Sequence, residues 1–379
     1  MAQGVDGLEG VVAAETVLSE VDGDAGRLLI RGRTLDEIAG RWPFESVTAL
    51  LWDGFFPDLP GDLAPRLGAA RVEVFAEVDR LDDTLVGRTT VEATRALIAR
   101  LADGDDLDLA LRLVAAPAVF TAAVTRRQAG LDAIAPDSHL AHAADILRMT
   151  RGAPASAAEV AALDAYLVTV CDHGLNASTF AARVVASTRA GLTSAVLAGI
   201  SALKGPLHGG APGPVIEMLD QIGSPAHARA WLEGALDRGD RLMGFGHRVY
   251  RVRDPRADAL KRAVATLAGA LAASPQRVGL GRIALAEAVE AAALAVLRER
   301  KPGRSLQTNV ELYTALLLEA LAFPPSAFTC VFAMGRTAGW IAHAREQLAG
   351  GRLVRPQSRY VGPRPHQALQ FETTAGFGA

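Results

Sequence analysis

Apolar and polar residues follow the short period of a strand convincingly only near the N-terminus. Residues 10–32 read GVVAAETVLSEVDGDAGRLLIRG. The segments VLSEV and RLLIR flank DGDAG, which is the composition of a short hairpin and its turn. Beyond this point the period lengthens to that of a helix. Thr34 and Glu37 form a capping box predicted to open a helix through Ile38 and Trp42. Pro43 starts another, with Val47, Leu50 and Leu51 on one side. VEATRALIARLADGDD reads as a helix ended by Gly104, and residues 108–128 and 157–171 read the same way. Asn176 or Ser178 caps a helix whose Phe180, Val184, Val185 and Thr188 share a face. The next helix, Thr193 to Lys204, is so rich in Ala, Ser and Gly that it must pack closely, and Gly205-Pro206 ends it. No repeat at solenoid periods is present. The pattern predicts a mainly all-α fold with a short N-terminal β-hairpin.

Composition narrows the class. A chain of 379 residues is long enough for two domains at roughly 150 residues each. Half of the residues are hydrophobic and 21% are charged, as in a soluble globular protein. A net charge of −3 argues against a general nucleic-acid binder, which carries a strongly basic balance. The start, MAQGVDGLEG, has neither a basic nor an apolar signal region, so a cytoplasmic location is expected. The apolar run from Gly191 to Leu203 lies between Arg189 and Lys204 and is shorter than the roughly 20 residues of a membrane span. Two cysteines, Cys171 and Cys330, make neither a disulfide framework nor a zinc site. The Gly- and Pro-rich stretches GPLHGGAPGP and LAFPPSAF bracket a block of helices. A large domain of residues 1–210 and 323–379 and a small one of 211–322 follow as the expected division.

Two stretches stand out chemically. GFGHRVYRVRDPR, residues 244–256, puts His247 and four arginines into a slightly acidic chain. Asp254-Pro255 is an N-cap and first-position pair, so Arg256 falls in the first turn of a helix. A cation there is unfavourable unless an anion compensates it, and an anion site is the better reading than a solvated basic strand. His208 sits between glycines, after one helix ends and before Pro214 opens another. It is either a loop histidine that caps the helix or a neutral donor to a developing enolate. The remaining signals are ordinary in isolation. Asp172-His173 reads as a structural pair and Glu311 as a first-turn carboxylate, while Arg336 and Arg355 read as surface residues. His139 and His142 are spaced for a metal, but no third ligand accompanies them.

Together these segments resemble the citrate synthase family, nearly end to end. The motifs run in order: DHGLNASTFAARVVAST, ALKGPLHGGA, GFGHRVYRVRDPRA, TNVELYTA, GRTAGWIAH and RLVRPQSRYVG. The resemblance implies an almost wholly helical two-domain fold and a homodimer whose active sites are shared between subunits. It implies condensation of oxaloacetate with an acyl-CoA, with the CoA thioester as co-substrate and no resident cofactor, metal, nucleic acid or membrane. His208 would hydrogen-bond the thioester oxygen, His247 would polarise and protonate the oxaloacetate ketone, and Glu311 would remove the thioester's methyl proton. His173, His247, Arg256 and Arg336 would bind oxaloacetate, with Arg355 reaching in from the other subunit. Arg251, Asn309, Lys301 and Arg304 would hold CoA. The family usually has aspartate where this chain has Glu311, which opens four alternatives: a compensated active site, a slow enzyme, an altered acyl-CoA preference as in a 2-methylcitrate synthase using propionyl-CoA, or lost activity as in a non-catalytic oxaloacetate- or CoA-binding paralogue.

Overall fold

The computed structural model describes residues 6–8, 10–209, 212–246, 250, 252–272, 280–303 and 306–363. Strands β1 (Ser19–Asp22), β2 (Arg27–Ile30) and β3 (Arg33–Thr34) form one antiparallel sheet in that order. Ser19 faces Ile30 and Asp22 faces Arg27 across the hairpin, and Leu29 faces Thr34 on the other side. The helices then follow one another. The first are α1 (Leu35–Ile38), α2 (Phe44–Trp52), α3 (Ala64–Phe75), α4 (Asp83–Val86) and α5 (Thr90–Ile98). Next come α6 (Leu107–Gln128), α7 (His142–Arg151), α8 (Ala157–Val170), α9 (Ala177–Ser187) and α10 (Leu192–Leu203). The last are α11 (Pro212–Ile222), α12 (Ala228–Asp237), α13 (Pro255–Ala272), α14 (Leu280–Arg300), α15 (Val310–Ala320) and α16 (Phe328–Gly350). The mainly all-α expectation and the N-terminal hairpin both hold, with a third short strand added.

Several boundaries differ from the pattern. The capping box at Thr34 and Glu37 is present, but α1 stops at Ile38 and Trp42 lies outside it. Gly40, at φ +74°, turns the chain into Pro43, which is the N-cap of α2. Helix α5 ends at Ile98 rather than near Gly104. Asn176 is the cap of α9, accepting from the Ser178 and Thr179 N–H groups. The buried face of α9 is Thr179, Ala182, Arg183 and Ala186, one position away from the larger apolar residues. The small side chains of Ser178, Thr179, Ala182 and Ala186 let α9 lie close to α10 and α16, its main neighbours. The most apolar long helix is α6, not the 191–203 segment. It has the length and composition of a span, yet it is packed into the core, against α3, α5 and α16 among others.

Helix α16 runs through the centre of the molecule and is buried from Phe328 to Ala344 along most of its length. Its two glycines set its depth. A Cβ on Gly339 would lie 2.2 Å from the Cys171 carbonyl oxygen, and one on Gly335 would lie 2.7 Å from that of Leu167. Only glycine lets α16 rest this closely on the end of α8. Trp340 in turn lies over Gly199 of α10, which explains the one glycine of that helix. Helices α11 to α15 pack largely on one another, with α13 also lying against α8.

A polar cluster is buried where α2, α3, α7 and α8 meet. Arg71 and Asp145 pair at 2.8 Å with both side chains fully buried, and Glu45 accepts the His142 N–H at 2.7 Å. Asp164 accepts the Phe44 N–H at 3.0 Å. Burial pushes its carboxyl up to about 7, with that N–H working against the shift and Glu45 adding to it. An acid whose folded-state pKa is raised stabilises the fold below its unfolded value and loses that contribution as pH rises through the folded one. The contribution of Asp164 should therefore be lost between about pH 4 and pH 7. Asp164→Asn keeps the acceptor without the charge. Its Tm should gain roughly 3 °C on wild type between pH 5 and pH 8. Parallel melting curves would remove Asp164 from the pH dependence.

Candidate active site

A cavity of about 360 Å³ opens where α9, α15 and α16 meet the loops 205–209 and 239–246. His173, His208, Arg256, Asn309, Glu311 and Arg336 all line it. These residues are spread over more than 160 positions of sequence, so only the tertiary fold brings them together.

The loop after α10 delivers His208. Its backbone N–H donates to Gly205 at 2.9 Å, and Gly209 donates to Leu203 at 2.8 Å, which folds the loop back over the helix end. The ring is half-buried, with Nε2 2.9 Å from Ser178 Oγ. Ser178 also accepts from Trp340 Nε1–H at 3.2 Å. Burial, then Arg336 and Arg256, lower His208 to about 4, so the ring is neutral at neutral pH. Asn176 Oδ1, at 2.7 Å, competes with Nε2 for the single Ser178 hydroxyl proton; the neutral ring carries its own proton on Nδ1 when that hydroxyl turns to Nε2, and on Nε2 when it turns to Asn176.

The arginines come from two helices. Arg256 sits in the first turn of α13, where Asp254 accepts from its backbone N–H at 3.0 Å. The same carboxylate takes Arg256 Nε at 3.1 Å and a terminal nitrogen at 2.8 Å. Tyr250 stacks near this guanidinium, 5.9 Å away, and its hydroxyl lies 3.1 Å from His173 Nε2. Arg336, on α16, is 1% exposed. Its Nε donates to the Val170 carbonyl at 2.6 Å and its guanidinium lies 4.9 Å from the Phe332 ring. Among the described residues its terminal nitrogens make no hydrogen bond, and the residue borders the cavity. Burial lowers Arg336 to about 10, with Asp172 opposing this and Arg256 adding to it.

The loop before His247 is stitched to the start of α15. Phe245 and Thr308 form an antiparallel bridge. Gly246 N–H donates to Gln307 at 2.7 Å, and Asn309 N–H donates to Gly244 at 3.0 Å. Gly244 and Gly246 both have φ above +80°, and a Cβ on either would press against Leu312 or Leu306. Asn309 then does two things. Its Oδ1 accepts the Glu311 N–H at 3.2 Å, capping α15, while its Nδ2 donates to the Gly246 carbonyl at 2.9 Å. Glu311 is the second residue of α15, and its Oε2 is buried with no hydrogen-bond partner among the described residues. Burial raises its carboxyl above the ordinary range, against the pull of Arg256.

A cavity with a neutral histidine, a carboxyl of raised pKa and two buried arginines suits deprotonation of a carbon acid beside an anionic partner. The sequence model of the citrate synthase C-terminal domain matches residues 7–357. The chain belongs to the citrate synthase family. A Mycobacterium tuberculosis protein named "Putative citrate synthase 2" is 40% identical over 372 residues, covering 95% of this chain and 94% of that one. The 2-methylcitrate synthase of the same species is 36% identical over 369 residues, covering 94% and 90%. The citrate synthase of Thermoplasma acidophilum, solved with carboxymethyl coenzyme A and oxaloacetate, superposes with a TM-score of 0.81. It is 28% identical and covers 95% of this chain and 96% of that one. Citrate synthase family membership and this fold make the protein a condensing enzyme, a transferase.

The sequence expectations can now be placed. His173, His208, Arg256, Asn309, Glu311 and Arg336 converge. Arg336 is not a surface residue, because the Gly335 and Gly339 contacts sink its helix into the core. His173 is not part of a pair with Asp172, whose partner is His343 at 3.2 Å; His173 meets Tyr250 instead. Lys301 is exposed in a neighbouring cavity that shares Arg241, Leu242, Phe245 and Gly246 with this one. Arg355 is exposed on the C-terminal segment and does not line the cavity of its own chain. His247, Arg251 and Arg304 lie outside the described residues.

Sequence reasoning missed Ser178, Trp340, Tyr250 and Arg241. Ser178 carried a signal as an alternative cap for α9, and Arg241 a weaker one as a cation just before GFG. The double role of Asn309 can be separated by substitution. Asn309→Ser should keep the cap and lose only the Gly246 contact, destabilising the protein by about 1 kcal/mol. Asn309→Ala should lose both, about 2 kcal/mol in denaturant unfolding. Equal losses in the two variants would show that the cap contributes nothing.

Proposed function

We propose that this chain condenses oxaloacetate with an acyl-CoA, acetyl-CoA foremost, to give citrate and free CoA. The observation that carries this is the convergence of His208, Glu311, Arg256 and Arg336 on one cavity. A C–H beside a thioester is a weak acid, so its removal needs a positioned base and a donor for the enolate oxygen. Glu311, its carboxyl raised by burial, takes a proton from the thioester's methyl carbon. His208, neutral, donates to the thioester oxygen as the enol forms. That carbon then attacks the ketone carbon of oxaloacetate, and His247 protonates the ketone oxygen as the new C–C bond closes. Water cleaves the thioester and releases CoA as the thiol.

Arg256, Arg336 and His173 hold the two carboxylates of oxaloacetate, since guanidinium groups bind carboxylates in a fork. Lys301, with Arg251 and Arg304, supplies cations for the CoA phosphates. The Asn309 side chain is committed at both ends, to Glu311 and Gly246, so its part in CoA binding runs through the loop it holds. The block 211–322 acts as a small domain that closes over the cavity, excluding water until condensation is complete. The active form is a homodimer with Arg355 contributed to the partner's site. Supporting this, Arg355 lies on a segment that exposes Leu353, Tyr360 and Val361, close to the exposed Val11. CoA enters as co-substrate, and no resident cofactor is required.

The test is release of CoA thiol by the purified protein. Acetyl-CoA with oxaloacetate should give turnover that falls at least about a hundredfold in Glu311→Gln. Because burial raises the Glu311 carboxyl, the acid limb of kcat should lie above the ordinary glutamate pKa, with activity lost as pH falls through it. Mixing Arg355→Ala subunits with His208→Ala subunits should restore activity in exchanged dimers. Propionyl-CoA, one methyl larger on the reacting carbon, is the comparison that separates a citrate from a 2-methylcitrate synthase. Oxaloacetate binding without thiol release from either thioester would mark a non-catalytic paralogue.

A further inference from the structure

Glu290 lies on α14, outside the cavity, and is 5% exposed. Such a carboxylate is expensive to bury unless every oxygen is partnered, and here both are. Oε1 accepts the Thr308 hydroxyl at 2.7 Å and lies 3.6 Å from Arg253. Oε2 accepts from Lys261 Nζ at 2.9 Å and from the Tyr313 hydroxyl. Lys261 also lies 5.5 Å from the Tyr313 ring. These partners belong to the segments that carry the site. Thr308 forms the bridge to Phe245, two residues before His247, and precedes the Asn309 cap of Glu311. Tyr313 follows Glu311 on α15. Arg253 and Lys261 flank Arg256, on the approach to α13 and within it.

We infer that Glu290 is a positioning residue, whose buried carboxylate fixes the 307–309 segment and with it the spacing of Glu311 and the His247 loop. This rests on the roles proposed above for Glu311 and His247. The carboxylate reaches α13, the 308 segment and α15 from a single point, so its loss frees three elements relative to one another. Displacement of a catalytic group by about an ångström can lower a rate about a hundredfold. The oxaloacetate-binding arginines keep other anchors: Arg336 is held by Val170, and Arg256, paired with Asp254 beside it, stays with α13, which also packs against α8. The defect should therefore fall on kcat.

Glu290→Gln keeps the size of the side chain, removes its charge and presents an amide donor to a site built for an acceptor. Thr308→Val cuts the link to the bridge alone. Arg282→Met is the comparison, because Arg282 ties α14 to Glu319 of α15 at 2.8 Å, at the far end of α15 from Glu311. In the CoA-release assay, Glu290→Gln and Thr308→Val should each lower kcat at least tenfold. Their KM for oxaloacetate should stay within about threefold of wild type, and the acid limb of kcat should move. Arg282→Met should lower Tm while leaving kcat and the limb in place. Normal kcat and an unmoved acid limb in a folded Glu290→Gln, beside an active wild type, overturn the positioning role alone. A wild-type protein with no oxaloacetate-dependent turnover overturns the site assignment and this inference with it.

Discussion

The positive field of two buried arginines governs the rest of the site. Arg336 is enclosed by α16, α8 and the cavity, and its charge is supported by protein groups less than burial and Arg256 oppose it. Buried cations in one cavity repel each other unless an anion lies between them. The same field reaches the two groups that would handle protons. It helps to hold His208 neutral, and it moderates the rise that burial imposes on Glu311. On the proposed function, binding of a dianion and activation of a carbon acid are thus not separate features added to a scaffold. Both follow from placing two guanidinium groups in a space that water only partly reaches.

That placement depends on close backbone approach. Gly335 and Gly339 allow α16 to touch the carbonyl groups at the end of α8, which brings Arg336 Nε within 2.6 Å of Val170. A second network secures the same helix from behind. Arg183 Nη1 lies 3.0 Å from His343 Nδ1, and His343 Nε2 lies 3.2 Å from Asp172 Oδ1. Because a guanidinium only donates, His343 accepts through Nδ1 and donates through Nε2 to Asp172. Glu346 extends the chain to the N-terminal segment, accepting from Val17 N–H at 2.9 Å. On the other wall, the bridge between Phe245 and Thr308 gives the histidine loop and the Glu311 helix a common anchor.

Much of this was legible in the sequence because it is local. The hairpin, the Asn176 cap and the Asp254-Pro255 start each depend on a few neighbouring residues. The family resemblance also named six of the residues that line the cavity. What stayed hidden depends on contacts between distant segments. Arg336 reads as a surface residue until the two glycines beside it are seen to sink its helix. Tyr250 sits among the arginines of GFGHRVYRVRDPR with no signal of its own, yet it is 2% exposed and meets His173. Glu290 sits in an alanine-rich helix, and nothing local distinguishes it from the exposed Glu287 and Glu299 of the same helix. Helix α9 turned its small side chains inward, where periodicity favoured the larger ones, because close packing outweighed apolar area.

The central claim, that two buried arginines make this cavity a dianion site, is tested most directly by calorimetric titration of oxaloacetate into the protein without any thioester. Binding should saturate at one oxaloacetate per chain, weaken as salt is raised, and be lost in a folded Arg336→Gln variant. Binding that survives Arg336→Gln unchanged, or no binding by the folded wild type, would contradict the account.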